Sequence, residues 1–330
     1  MPTVTINPGG RTFQCEGKQT ILEAALSASV SLNYGCSTGT CGLCTARLQQ
    51  GEIERVKHHD FALKEADKLS GDFLLCCYAA ASPDVVVEAF EATSAGDIPW
   101  QKIDAKIRKL NRINEQIGIL SLQTPRTSRL RFLAGQNLRL QLPDDLSADL
   151  PIASCPCDDR NIEFHLRLDP DNEFSAGIFG LRSFPRPVHI EGPWGPDPGG
   201  TAKPVTLCFA YDTGFAPLRS WIEQQFADDI SGKICLYWFA DDESGFYLVN
   251  LLDAWSDAFE TFAYHLSTPR DEEQLTTVLK PAIDPLLNAT FDDSRVLIAG
   301  PQSFTAAVRA LLKAIDFPDS ALFVHSTAKT

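Results

Sequence analysis

Long apolar runs are missing from these 330 residues: the longest nearly unbroken one, 73–81, is nine residues, far short of a membrane span. Positive charge is scarce too. Lys and Arg number 29 against 43 Asp and Glu, a formal charge of −14. A field of that sign repels nucleic-acid phosphates and anionic lipid, and it suits either a basic protein partner or a plain solvated surface. The opening Met1-Pro2-Thr3-Val4-Thr5-Ile6 has neither the basic segment nor the apolar stretch of an export signal, so a cytoplasmic location is expected. No internal repeat, low-complexity tract, P-loop or Ser/His/Asp order stands out. What remains is a globular balance, 44% apolar and 22% charged, with length for two or three domains.

Cysteine is plentiful. Ten are present, and in a reducing compartment they are not a disulfide framework. Five fall between Cys36 and Cys77. Gly35-Cys36-Ser37-Thr38-Gly39-Thr40-Cys41-Gly42-Leu43-Cys44 contains C-x4-C-x2-C, and Cys76 follows after 31 intervening residues. That is the plant-type spacing for four thiolates around two irons. Zinc sites more often pair two short C-x2-C spacings. Glycines at 35, 39 and 42 allow the backbone angles and close amide approach that such a loop requires. His58-His59, in a polar stretch, reads as solvated. Cys155-Pro156-Cys157 reads as a pair of ordinary thiols.

Around this loop the pattern predicts strands at 3–6, 11–15, 45–48 and 84–90, with a capping box at Thr20 and Glu23 opening a helix. Residues 92–99 are small and polar, as in a linker. Alternation at 117–122, 138–142 and 162–168 predicts an antiparallel barrel. A second boundary is expected at 193–204. Beyond it, strands at 205–209, 234–238 and 296–299 alternate with helices from Pro217 and over about 304–315, predicting a parallel α/β sheet.

The cysteine loop resembles the plant-type ferredoxin domain of oxygenase reductases and of reductases acting in sugar-nucleotide deoxygenation. The resemblance extends over nearly the whole chain: a [2Fe–2S] domain of β-grasp type at 1–92, a linker at 93–100, an FAD-binding-like β-barrel at 101–199 and an NAD(P)-binding-like α/β domain at 200–330. It implies Cys36, Cys41, Cys44 and one of the adjacent Cys76 and Cys77 as cluster ligands. A glycine five residues before the last ligand, here Gly71, favours Cys76; counting back from Asp84 favours Cys77. We assign Cys76, with a one-residue insertion at Ser82-Pro83. Ser37 stands where arginine is frequent.

The same resemblance implies cofactor contacts at Ile152, Ala153, Ser154 and Ser175 for FAD, and at Thr213, Gly214, Gly300 and Pro301 for NAD(P)H. The chain departs from it in five places. Ala148-Asp149-Leu150-Pro151 replaces Arg-x-Tyr-Ser, and Asn172 replaces a glycine. Tyr211-Asp212-Thr213-Gly214 replaces Gly-Gly-Thr-Gly. Ala299 replaces a cysteine, and Asp241-Asp242 follow the second strand where a basic or polar contact is usual. Residues 321–330 show no evident aromatic to cover a flavin. These departures weaken the expectation for both FAD and NAD(P)H. Two readings stay open: an NAD(P)H-dependent reductase serving a redox partner such as an oxygenase component, or a flavin-free relay or docking scaffold with only the cluster active.

Overall fold

The protein is described by a computed structural model covering residues 1–28, 30–92, 95–125, 128–143, 145–195, 198, 203–227, 232–287 and 290–327. Parts of three sequence expectations lie outside the described residues: 93–94 of the linker, 196–197 and 199–202 of the second boundary, and 328–330 of the C-terminal stretch.

The first sheet begins with a hairpin, β1 (Thr3–Asn7) and β2 (Arg11–Gln14), around the Pro-Gly-Gly turn. α1 (Ile21–Ser27) opens on the expected reciprocal cap. Thr20 Oγ1 accepts from Glu23 N at 3.2 Å, and Glu23 Oε2 accepts from Thr20 N at 3.0 Å. Two amides left over at the helix start are thereby satisfied, and Ile21, Leu22, Ala24 and Ala25 turn into the core. β3 (Thr45–Gln50), β4 (Ile53–Arg55), α2 (Glu65–Leu69), β5 (Asp72–Leu74), β6 (Tyr78–Ala80) and β7 (Asp84–Glu88) follow. The sheet order is β2-β1-β7-β3-β5, with β1 and β7 parallel at its centre, and β4 pairs separately with β6.

Six antiparallel strands make the second unit: β8 (Gln101–Arg112), β9 (Ile117–Gln123), β10 (Asn137–Gln141), β11 (Ser147–Pro151), β12 (Asn161–Arg167) and, after α3 (Glu173–Gly180), β13 (Arg186–Trp194). Their order is β11-β10-β13-β8-β9-β12. The two edges meet where Ala153 N donates to Glu163 O at 2.8 Å, so the sheet curls into a near-closed barrel. The expected alternation is present, with Ile162, Phe164 and Leu166 facing the core.

The third unit is wholly parallel. β14 (Val205–Tyr211), α4 (Phe215–Ala227), β15 (Lys233–Phe239), α5 (Val249–Ala258), β16 (Phe262–Ser267), α6 (Glu272–Leu287), β17 (Ser294–Pro301), α7 (Gln302–Ala314) and β18 (Leu322–Thr327) form a sheet of order β16-β15-β14-β17-β18. The chain winds outward from β14 to β16 and then returns to β17 on the other side. The carboxyl ends of β14 and β17 therefore flank a switch point, where open α/β sheets bind ligands.

The units are packed against one another. Arg129 N donates to Gly35 O at 3.1 Å, and Arg131 Nη1 to Asn33 Oδ1 at 2.5 Å. Arg129 is paired with the buried Asp159 at 2.7 Å. The segment that reads as a polar linker also buries Ile98 against Ala92 and Leu133. Among the described residues no helix is long and apolar enough to cross a membrane.

Candidate functional site

The loop 35–44 crosses from α1 to β3, and its amides converge on sulfur. Thr38 N, Thr40 N and Cys41 N all donate to Cys36 Sγ at 3.3–3.4 Å, while Cys36 N donates to Cys41 Sγ at 3.4 Å. Burial alone would raise the Cys36 pKa, yet the bonds from Thr38 and Thr40 carry it down to about 5. Such donors stabilise a thiolate. Gly39 is shaped by the same packing. Its φ is +77°, and a Cβ there would lie 2.5 Å from His59 Cβ and 2.7 Å from Cys77 Sγ. His59 closes the loop from outside, while His58 is exposed.

Of the adjacent pair, Cys76 reaches Cys44, with the sulfurs 3.2 Å apart. Cys77 Sγ lies 3.6 Å from Cys76 Sγ and 3.9 Å from His58 O, on the Gly39 side. The bond from Cys44 draws the Cys76 pKa down to about 7, whereas burial and the neighbouring Cys76 push Cys77 up to about 12. Ser37 Oγ, inside the loop, is buried with no hydrogen-bond partner among the described residues. A buried hydroxyl without a partner is costly, and sulfur of a cluster would supply the missing acceptor. Among the described residues no group of three His, Cys, Asp or Glu side chains suits a single metal ion. A two-iron cluster needs its four sulfurs spread over a wider cage than one ion does. Thr38, Thr40, Cys41 and Leu43 are exposed, which leaves one edge of the loop open to solvent.

Two clefts open around the barrel and the parallel sheet. The smaller, about 370 Å3, opens between barrel and parallel sheet and is lined by Asp149, Pro151, His165, Trp194 and His325 among others. The larger, about 810 Å3, lies over the carboxyl ends of β14, β15 and β17. Arg167, Thr213 and Thr327 line both, so the clefts share a wall.

The residues expected to contact FAD are placed mainly in that wall's support. Ile152 is fully buried. Ala153 closes the barrel, and Ser154 Oγ accepts from Glu163 N at 3.2 Å while its carbonyl accepts from Ser220 Oγ at 2.6 Å. Ser175 Oγ donates to Arg167 O at 2.8 Å, and its amide is taken by Asn172 Oδ1 at 2.9 Å. Asn172 thus caps α3 where a glycine was expected. In β11, Ala148 and Leu150 turn toward the barrel core. Asp149 faces outward, and Arg139 donates to its two carboxylate oxygens at 2.8 Å each. The Asp149 charge is therefore balanced.

At the switch point, Gly214 passes so close to β17 that a Cβ would lie 2.3 Å from Ala299 O. Gly300 and Pro301 stand opposite, beside Tyr211. Asp212 keeps a left-handed φ of 52° where the resemblance expects glycine, a conformation that aspartate tolerates better than most residues. Its carboxylate pairs with Arg167. Burial raises the Asp212 pKa, and Arg167 partly offsets that.

Residues 4–82 match the family described as 2Fe-2S iron-sulfur cluster binding domain. Over 244 residues, 74% of this chain and 73% of the relative, the sequence is 32% identical to the CDP-6-deoxy-L-threo-D-glycero-4-hexulose-3-dehydrase reductase of Yersinia pestis. It is 30% identical over 266 residues, 79% of this chain and 77% of the relative, to terephthalate 1,2-dioxygenase reductase component 2 of a Comamonas species. The chain belongs to this family of iron–sulfur reductases. It is a [2Fe–2S] electron-transfer protein of NAD(P)H-dependent reductase type, and the flavin-free relay is the less favoured reading. The fold is shared with a cytochrome P450 reductase of Amycolatopsis, at TM-score 0.57 and 21% identity over 99% of this chain and 98% of that one. It is shared also with the ferredoxin reductase of carbazole 1,9a-dioxygenase, at TM-score 0.58 and 18% identity over 98% of each chain.

In this reductase, the sequence reading missed a polar row on β12. Glu163, His165 and Arg167 alternate with the apolar residues and point toward α4 and the clefts. Arg219 binds Glu163 at 3.0 Å and Glu223 at 2.8 Å, and its Nη1 lies 3.2 Å from His165 Nε2. The other ring nitrogen of His165 meets the Tyr247 hydroxyl at 2.7 Å. Burial, aided by Arg219, holds the His165 pKa well below the ordinary histidine range. The available signal was three ionisable residues on one strand face, a costly choice unless they are paired. Cys155 and Cys157, read as ordinary thiols, are joined by a disulfide in the structure.

Proposed function

We propose that Cys36, Cys41, Cys44 and Cys76 hold the [2Fe–2S] cluster, and that the two clefts serve a flavin and a nicotinamide dinucleotide. The shared wall of Arg167, Thr213 and Thr327 carries this reading, since hydride transfer from nicotinamide to flavin needs the two rings to meet. The flavin ring of FAD suits the smaller cleft, whose volume matches a ring rather than a whole dinucleotide. Trp194, 38% exposed at its edge, offers a stacking face. Arg139 and Arg167 are the nearby cations for the pyrophosphate, each at present held by a carboxylate. Ile152, Ala153, Ser154 and Ser175 fix the walls. Thr213, Gly214, Gly300 and Pro301 shape the approach of NAD(P)H to the sheet.

A flavin bound there supplies the conversion between hydride and single-electron chemistry, which no side chain here can perform. The protein's own share is placement. Arg129 and Arg131 seat the cysteine loop on the barrel, and Thr38, Thr40, Cys41 and Leu43 present its open edge to a redox protein partner such as an oxygenase component. The acidic surface favours a basic docking face on that partner.

The test is a titration of purified protein with FAD, followed by NADH- or NADPH-dependent reduction of ferricyanide. Flavin uptake with turnover is expected. No uptake in excess FAD, with a cluster that dithionite still reduces, would restore the flavin-free relay.

A further inference from the structure

NADH and NADPH differ in one group, a phosphate on the adenosine ribose that is dianionic near neutral pH. In sheets of this topology the dinucleotide crosses the switch point, and the residue following the second strand meets that ribose. A carboxylate there accepts from the ribose hydroxyls, whereas the phosphate calls for a cation. The second strand here is β15, and the residues after it are Ala240, Asp241 and Asp242.

Asp241 lines the large cleft and accepts a hydrogen bond from the Tyr211 hydroxyl. Tyr211 is steadied by the Phe304 ring, 5.3 Å away between centroids. A carboxylate has four acceptor positions, so Asp241 can hold Tyr211 and still accept from a ribose. Asp242 is engaged elsewhere, taking Ser244 N at 2.8 Å. Asp271 and Glu272, at the start of α6, line the same cleft as Asp241. A helix N-terminus attracts phosphate, but this one is already served: Asp271 Oδ1 accepts from Gln274 N at 2.8 Å, and Glu272 and Glu273 fill its first turn. Arg167 is paired with Asp212. Arg270 is the other cation of the lining, next to Asp271 in the chain.

We propose that Asp241 receives the adenosine ribose hydroxyls and that Asp241, Asp271 and Glu272 together repel a 2′-phosphate, so the chain takes NADH and rejects NADPH. This rests on the large cleft being the dinucleotide site.

Calorimetric titration of the full chain with NAD+ and NADP+ at one low ionic strength tests it without turnover. NAD+ binds at least about tenfold tighter, about 1.4 kcal/mol. Asp241→Asn brings the two affinities within about threefold, by weakening NAD+ and relieving NADP+. Glu272→Gln raises the affinity for NADP+. Equal or tighter binding of NADP+ by the unaltered chain overturns the inference while leaving the cleft a nucleotide site. A preference that stays fixed in both variants overturns the role of these carboxylates. Failure of both nucleotides to bind removes the cleft reading, and the inference with it.

Discussion

The cysteine loop and the two clefts hold their charges in opposite ways. Around Cys36, four backbone amides supply positive dipoles to sulfur, and they do so because the chain itself is bent around them. At and near the clefts the cations are side chains, and two of them are held by carboxylates: Arg139 by Asp149, Arg167 by Asp212. A site made of backbone conformation depends on a few glycines and a fixed cysteine spacing. One made of side chains can be neutralised internally by single substitutions while strands and helices stay put. Half of this reductase keeps its cofactor site in the main chain, and the other half keeps the shape while redistributing the charge.

The largest effect is expected where the comparison is sharpest. Cys41→Ser removes one of four thiolates and should strip the cluster, read as loss of visible absorbance and of iron. The adjacent cysteines refine this. Cys76→Ala should abolish the same absorbance while Cys77→Ala leaves it largely intact, because Cys76 is the one within 3.2 Å of Cys44. The reverse pair of results would place the ligand at Cys77.

Next comes the backbone of the loop. Gly39→Ala puts a Cβ into His59 and Cys77 at a φ of +77°, a strain of about 1–3 kcal/mol. Denaturant unfolding should show a shift of that size, together with reduced iron content. Iron at the unaltered level would mean the loop relaxes around the methyl group, and that its glycine is dispensable.

Legibility followed the same division. The cysteine spacing, the Thr20 cap and the alternating strands could be read directly, because each is a local pattern with one physical reason. Among the helices missed are α5 and α6. α5 has no side-chain cap, and α6 carries Pro281 and Pro285 inside it, residues that ordinarily end a helix. The barrel register was missed as well. Ala148 and Leu150 occupy the expected arginine and tyrosine positions by count, yet strand alternation points them inward and leaves Asp149 facing out. A shift of one residue turns every side chain to the other face. The partners of Asp149 and Asp212 lie 10 residues away on β10 and on a different domain respectively. Nothing local announces such pairs.

A third prediction tests whether the balanced charge is reversible. Asp212→Gly relieves a left-handed residue and leaves Arg167 for a phosphate. NAD+ affinity should rise by up to about tenfold, the scale of one charge-assisted contact. Calorimetry decides. An unchanged affinity would show that Arg167 does not reach the nucleotide.

The smallest effect is expected at Asp149→Ala. The pair with Arg139 is bidentate but half exposed, with Arg139 54% and Asp149 35% accessible, so its loss should cost little stability. Freed of its partner, Arg139 can turn toward a pyrophosphate at the cleft edge. Water competes for it there, however, and FAD affinity should rise by only about threefold. A fluorescence titration with FAD resolves a change of that size. Weaker binding would identify Asp149 itself as a flavin contact, and no change would leave Arg167 as the cation that matters to both clefts.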